Sequence, residues 1–188
     1  IMKFVEAILR AALLVAVLGA SAAPSPRGEV AVVSFTKNDN TVESRTVALK
    51  NMPDGAARLV VPADSVPSDA KLLDIVHQNF TAQKGEDGFW LFPRGEYGVF
   101  DSDKGVFSFK SLIMPFYGIQ TPRGTYIGIV KGFRFGLFTR VSADKGKYTL
   151  SMRSDLYKTP GIKPYEDIII DYYKLEGNDA NYSGIARF

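Results

Sequence analysis

Glycine and proline cut this chain into short pieces, and that limits it to a fold built from strands and turns. The 17 glycines and 10 prolines fall between brief runs rich in Val, Ile, Phe, Tyr and Thr, the residues that pack best on a pleated surface. These runs cover residues 30–36, 43–50, 57–62, 88–92, 97–100, 106–110, 112–119, 125–131, 133–141, 147–156 and 165–175. Several alternate with period two. Phe107 and Phe109 point one way and Ser108 and Lys110 the other; Tyr148, Leu150 and Met152 oppose Thr149, Ser151 and Arg153. Such alternation buries one face of a strand and leaves the other wet.

Turn chemistry supports hairpins between these runs. Lys37-Asn38-Asp39-Asn40, Asp103-Lys104-Gly105, Pro122-Arg123-Gly124 and Asp144-Lys145-Gly146 all offer residues that tolerate turn dihedrals. About ten strands with no helical segments between them predict an all-β, two-layer antiparallel β-sandwich. A closed barrel is the structural alternative. Residues 68–80, SDAKLLDIVHQNF, fit a short helix or an irregular strand equally well. Near the end, Asn178 and Asp179 read as the cap of ANYSGIARF, a short C-terminal helix.

The first residues impose a second constraint. Lys3 and Arg10 precede an apolar run that ends at Gly19, and Ala20 and Ala22 follow in the small-x-small pattern of a signal-peptidase site. A membrane span needs about 20 apolar residues in a row, and Pro24 and Pro26 follow too soon. Residues 1–22 therefore read as a cleaved signal peptide, which makes the protein secreted or periplasmic with no stable membrane anchor. The absence of cysteine removes disulfides from the account, so a hydrophobic core must hold the domain. The 46% hydrophobic content is enough to build one. The net charge of +3 is spread along the chain rather than gathered in a basic run, which argues against a nucleic-acid partner.

Candidate chemistry is sparse. His77 is the only histidine, with Asp74 three residues before it, and no nucleophile elbow accompanies them; a packing or surface histidine is the expected reading. One histidine and no cysteine also leave little from which to build a zinc site. Asp101-Ser102-Asp103-Lys104-Gly105 begins like a calcium loop but lacks its later ligands, and a turn accounts for the same residues. Basic and aromatic residues interleave over 131–140, which strand alternation explains. No catalytic residue, metal site or cofactor is assigned. The segment GFWLFPRGEY holds Trp90, the single tryptophan, with Arg94, Glu96 and Tyr97 in or beside a proline-glycine turn. Those four are the candidate ligand-binding residues, because aromatic faces stack on sugar rings and loops carry recognition. Core packing of Trp90 is the competing reading.

Three stretches, GFWLFPRGEYGVF, LIMPFYGIQTPRGTYIGIVKG and DIIIDYYKLEGNDANYSGIARF, resemble the N-terminal β-supersandwich of large secreted bacterial glycoside-hydrolase-like proteins. Gly177, Asp179, Ala180, Tyr182, Ser183 and Gly184 match the most specific of its motifs. The resemblance implies a supersandwich-like domain over residues 23–176. It implies that residues 177–188 start a linker helix toward a C-terminal (β/α)8 barrel of the same polypeptide, where such enzymes keep their acid and base. On this expectation the domain is a non-catalytic module that supports the barrel and helps bind carbohydrate. Tyr172, Tyr182 and Phe188 would then form an exposed interdomain patch. The alternatives are a free-standing carbohydrate-binding or adhesion module on a Trp90, Arg94 and Tyr97 platform, and a small exported hydrolase dependent on Glu96.

Overall fold

The computed structural model describes residues 28–92, 97–109, 116–131, 137–156 and 166–187. It is a two-layer antiparallel β-sandwich with one short helix near its C-terminal end. The signal-peptide segment, Arg94, Glu96, Phe188 and residues 132–136 of the basic-aromatic stretch lie outside the described residues, as do the side-chain surroundings of Tyr182.

The strands in chain order are β1 (Val30–Lys37), β2 (Val42–Ala48), β3 (Lys50–Asn51), β4 (Ala57–Val61), β5 (Ala70–His77), β6 (Thr81–Gln83) and β7 (Phe89–Leu91). They continue with β8 (Tyr97–Gly98), β9 (Lys104–Phe109), β10 (Phe116–Thr121), β11 (Gly124–Lys131), β12 (Leu137–Asp144), β13 (Lys147–Asp155) and β14 (Ile168–Leu175), and α1 (Tyr182–Arg187) follows. One sheet runs β2-β1-β5-β13-β12-β9, with β6 on β13; the second runs β3-β4-β14-β11-β10-β7-β8.

The register places the apolar alternation of each strand on the facing surfaces. In the first sheet Val33 lies opposite Ile75, Ile75 opposite Met152, and Leu150 opposite Val141. In the second, Leu59 lies opposite Ile170, and Ile119 opposite both Tyr126 and Trp90. These side chains are buried in one continuous core. Each large apolar group so removed from water stabilises the fold by about 1.5–3 kcal/mol.

The middle of the core depends on a missing side chain. Gly128 sits in register between Tyr117 and Tyr172, and a Cβ there would stand 2.9 Å from the Tyr117 ring. Because that space is open, the two rings lean over the glycine and their hydroxyls meet at 3.0 Å. Each phenol thus has a polar partner in an otherwise apolar region. Burial pushes both phenols well up from their ordinary value. His77, fully buried, stacks on Tyr172 at 4.3 Å and takes the Asn79 N–H on Nδ1 at 3.3 Å. It is a packing histidine, with its Nε2 3.6 Å from the Glu29 carboxylate.

The ambiguous segment 68–80 is resolved as strand β5, a central member of the first sheet between β1 and β13. Leu73, Ile75 and His77 enter the core while Asp74 on the other face pairs with Arg153 at 2.7 Å. Two turn expectations are met closely. Asp144 to Lys147 closes with Lys145 and Gly146 at φ 50° and 77°, the left-handed pair that matches strand twist in a two-residue hairpin. Gly124, at φ 138°, follows the turn between β10 and β11. The predicted turn at Asp103-Lys104-Gly105 is corrected, since Lys104 and Gly105 already belong to β9.

The helix cap is also corrected. Residues Gly177–Asp179 form a 3-10 turn, and Asn181 caps α1 by accepting the Gly184 N–H at 3.0 Å. That is the side-chain bond an N-cap makes to the third helical residue.

Candidate functional site

The two sheets differ in what their outer faces carry. The outer face of the first mixes polar groups, Ser34 on Ser44 at 2.8 Å and the Asp74 carboxylate on Arg153, with Val32, Leu72, Val76 and Phe138. Arg140 lies on the same face, two pairs along from Phe138 and Arg153. Burial, and then the neighbouring Arg153 charge, lower its guanidinium from the ordinary value. The outer face of the second sheet is apolar. Leu91, Ile127, Leu175 and the α1 residue Ile185 bury together there, with Phe89, Phe116, Ile129 and Tyr173 half-buried around them. Gly118 lets α1 approach, because a Cβ on it would stand 3.2 Å from the Ile185 side chain.

On that same face Asp171, fully buried, receives Arg58 through two bonds of 2.6 and 2.8 Å, with Lys131 at 3.4 Å. The hydrogen bonds from Arg58 hold its carboxyl below the usual carboxylate range against the opposing pull of burial. Arg58 stands directly opposite Asp171 across β4 and β14, so the pair fixes the register of a strand whose neighbours are almost all apolar.

Among the described residues, the sandwich stays open at one edge. β8 ends the second sheet and β9 ends the first, and between them lies a cleft of about 340 Å³. It is lined by Trp90, Phe107, Tyr148, Val141 and Ala143, with the exposed Asp101 and Ser102 among its polar members. Phe107 faces inward opposite Val141 but remains 41% exposed. Its ring centre lies 5.4 Å from that of Trp90 and 5.9 Å from that of Phe92, spacings at which aromatic pairs attract. The Tyr148 hydroxyl is engaged, accepting the Ser102 N–H at 2.6 Å.

The structure separates the residues that the sequence grouped. Leu91 pairs with Tyr97 and Trp90 with Gly98, so Trp90 turns into the sandwich while Tyr97 turns out. Trp90 is only 9% exposed and Tyr97 is 65% exposed. The expected platform of Trp90 and Tyr97 side by side is therefore corrected; the alternation of a strand puts them on opposite faces. Tyr172 is corrected as well. With 1% exposure it belongs to the core between the sheets and offers nothing to a neighbouring domain. The residue beside it in β14, Tyr173, is the one on the apolar outer face.

Phe107, Tyr148, Asp101 and Ser102 were absent from the sequence-based set. A signal for Phe107 existed in its alternation with Ser108, but nothing local marks β9 as a sheet edge. Among the described residues no cluster of three or more His, Cys, Asp or Glu side chains could hold a metal ion. Asp103 of the calcium-like loop instead binds Lys84 at 2.6 Å. No described helix is long and apolar enough to cross a membrane. The fold and the cleft define the protein as a two-layer antiparallel β-sandwich with one open edge. No protein-family model, curated protein or solved structure matches the chain.

Proposed function

We propose that this domain is a non-catalytic β-sandwich module of an exported, glycoside-hydrolase-like polypeptide, where it braces a catalytic barrel and adds contacts to carbohydrate. The observation that carries the reading is the second sheet, which holds a buried apolar cluster on its outer face, beside the Asp171, Arg58 and Lys131 group, as well as on its core face. A sheet facing water on one side alternates apolar with polar residues, and among the described residues the outer face of the first sheet, which carries Val32, Leu72 and Val76 beside its polar groups, gathers no buried apolar cluster of this kind. Apolar residues on an outer face call for another layer, and among the described residues α1 covers part of this face through Ile185. The half-buried Phe89, Phe116, Ile129 and Tyr173 extend beyond the core of that contact, which is the surface a neighbouring domain would cover.

Hydrogen exchange tests this. In the polypeptide carrying the barrel, amides of β10 and β11 should exchange more slowly than in the 188-residue chain, and Ile129→Asp should erase the difference. Equal exchange in both would refute the bracing role. The second reading, a free-standing carbohydrate-binding or adhesion module, is favoured by the open cleft beside Phe107 rather than by the surface platform expected from sequence.

A further inference from the structure

The carbohydrate part of that reading can be made specific at the open edge. We propose that the cleft between β8 and β9 binds one neutral pyranose ring, stacked on Phe107 and hydrogen-bonded by Asp101, Ser102 and the Trp90 indole N–H. The inference rests on the carbohydrate-contact reading and names the site, the ligand class and the orientation.

Size comes first. A volume of about 340 Å³ lies at the small end of small-molecule sites, which run from roughly 300 to 1,000 Å³. It suits one ring and not a folded partner. Shape and polarity come next. The lining is mostly aromatic and aliphatic, from Phe107, Trp90, Val141 and Ala143, and Asp101 and Ser102 add exposed polar groups to it. A ligand that fits both must have an apolar face and a hydroxyl-bearing edge. A sugar ring has both: its C–H face packs on an aromatic ring, and its hydroxyls reach outward.

The hydrogen-bonding groups of the cleft are complementary to hydroxyls. Asp101 accepts a bond from the Ser102 hydroxyl at 3.0 Å and keeps its other carboxylate oxygen for a donor. The indole edge of Trp90 lies over Gly98, with Nε1 2.9 Å from where a Cβ would be, and Gly98 is itself a wall of the cleft. Among the described residues, none accepts a hydrogen bond from that indole N–H. Charge sets the class. Asp101 in the lining disfavours an acidic sugar, because two carboxylates in one site repel.

The aromatic surface is also prearranged. Phe107 cannot turn away, because Trp90 and Phe92 hold its inner side. Trp90 in turn lies flat because β8 places a glycine opposite it. Little ordering is left for a ligand to impose, which is the condition under which a small contact area still binds.

Trp90 is the only tryptophan in the chain, so its fluorescence reports on this cleft alone. The probes are methyl glycosides of glucose, galactose, mannose and N-acetylglucosamine, with a methyl glucuronide as the acidic control. At least one neutral glycoside should change the emission saturably. Phe107→Ala should weaken that binding by about tenfold or more, while Phe107→Tyr, which keeps the stacking face, should retain it. Calorimetric binding of a glycoside with no change in Trp90 emission and no effect of Phe107→Ala would overturn the cleft assignment while leaving carbohydrate contact elsewhere on the domain intact. No binding of any glycoside would overturn both. Equal binding of the glucuronide would overturn the neutral class and the role given to Asp101.

Discussion

At both edges of this sandwich the chain passes from one sheet to the other, and the two crossings are sealed in opposite ways. At the first, only Leu49 separates β2 from β3, and the gap between the layers is spanned by Arg45. Its guanidinium lies 5.3 Å from the centre of the Phe35 ring and donates a 2.7 Å hydrogen bond to Ser65 on the far side. At the second, β8 leads into β9, and the residue in the equivalent position is Phe107, which reaches Trp90 and Phe92 by ring contact alone and stays 41% exposed. An inward-pointing charge on an edge strand closes the core and also deters pairing with another chain. An aromatic residue there covers the core only partly, and the remainder is a recess that a ligand can occupy. One edge is closed by a cation and the other leaves a recess beside Phe107.

The largest effect that would break this contrast comes from Gly98→Ala. A Cβ at that position would stand 2.4 Å from Trp90 Cζ2, and an indole has no flexible end to bend aside. The ring must leave its place over β8, which unstacks it from Phe107 and disturbs the open edge. Overpacking of this kind costs about 1–3 kcal/mol. Urea denaturation should show that loss, with the tryptophan emission shifted in the folded state. Unchanged stability and emission would mean that Trp90 is not held by β8.

Arg45→Ala attacks the sealed edge and should cost less, about 1 kcal/mol, from one exposed cation–aromatic contact and one hydrogen bond. The informative comparison is its mirror image. Phe107→Arg places at the open edge the kind of residue that closes the other one. It gives up the ring contacts with Trp90 and Phe92 and should cost about 1 kcal/mol, yet reduce aggregation at high concentration by removing an apolar edge. Light scattering on the two variants separates the outcomes. If Phe107→Arg aggregates as readily as the parent, the edge of β9 is not the exposed one.

The difference between the edges also explains what could be read from sequence. Strand identity was legible because alternation is local: Tyr148, Leu150 and Met152 announce their own face, and Asp144-Lys145-Gly146 announces its turn. Strand β5 was not, because Leu72-Leu73 and Ile75-Val76 place apolar residues on both faces of a central strand and so imitate a helical stripe. Sheet order was not legible either. Whether β9 lies at an edge depends on which strand pairs with β12, and no residue of β9 records that. The same ignorance produced the misplaced platform. Trp90 and Tyr97 are close in sequence across one turn, and only the register that pairs Trp90 with Gly98 shows that they face apart. Tyr172 and Tyr173 repeat the lesson, since two adjacent tyrosines of one strand divide between the core and the outer face, and the motif that drew attention to them does not say which is which.

The smallest effect belongs to the sealed edge and depends on pH. The turn from β1 into β2 is held by Asp39, whose carboxylate takes the Thr41 hydroxyl at 2.7 Å and the Thr41 N–H at 2.9 Å. Those two bonds hold the Asp39 carboxyl below its ordinary value of 3.8. A carboxyl lowered in the folded state stabilises it at every pH above the ordinary value, and the contribution fades as pH falls from there through the folded value. Acid should therefore loosen the Asp39 turn, and with it the hairpin that carries Arg45. The Thr41 amide shift in a proton-detected titration should follow the Asp39 carboxyl, with a midpoint below 3.8. In Asp39→Asn, which keeps an acceptor but cannot titrate, the Thr41 shift should stay flat across the same range. A flat Thr41 amide in the parent chain would show that the turn owes its shape to Asn40 at φ 69° and to backbone bonding instead, leaving the charged seal of the first edge independent of the turn that leads into it.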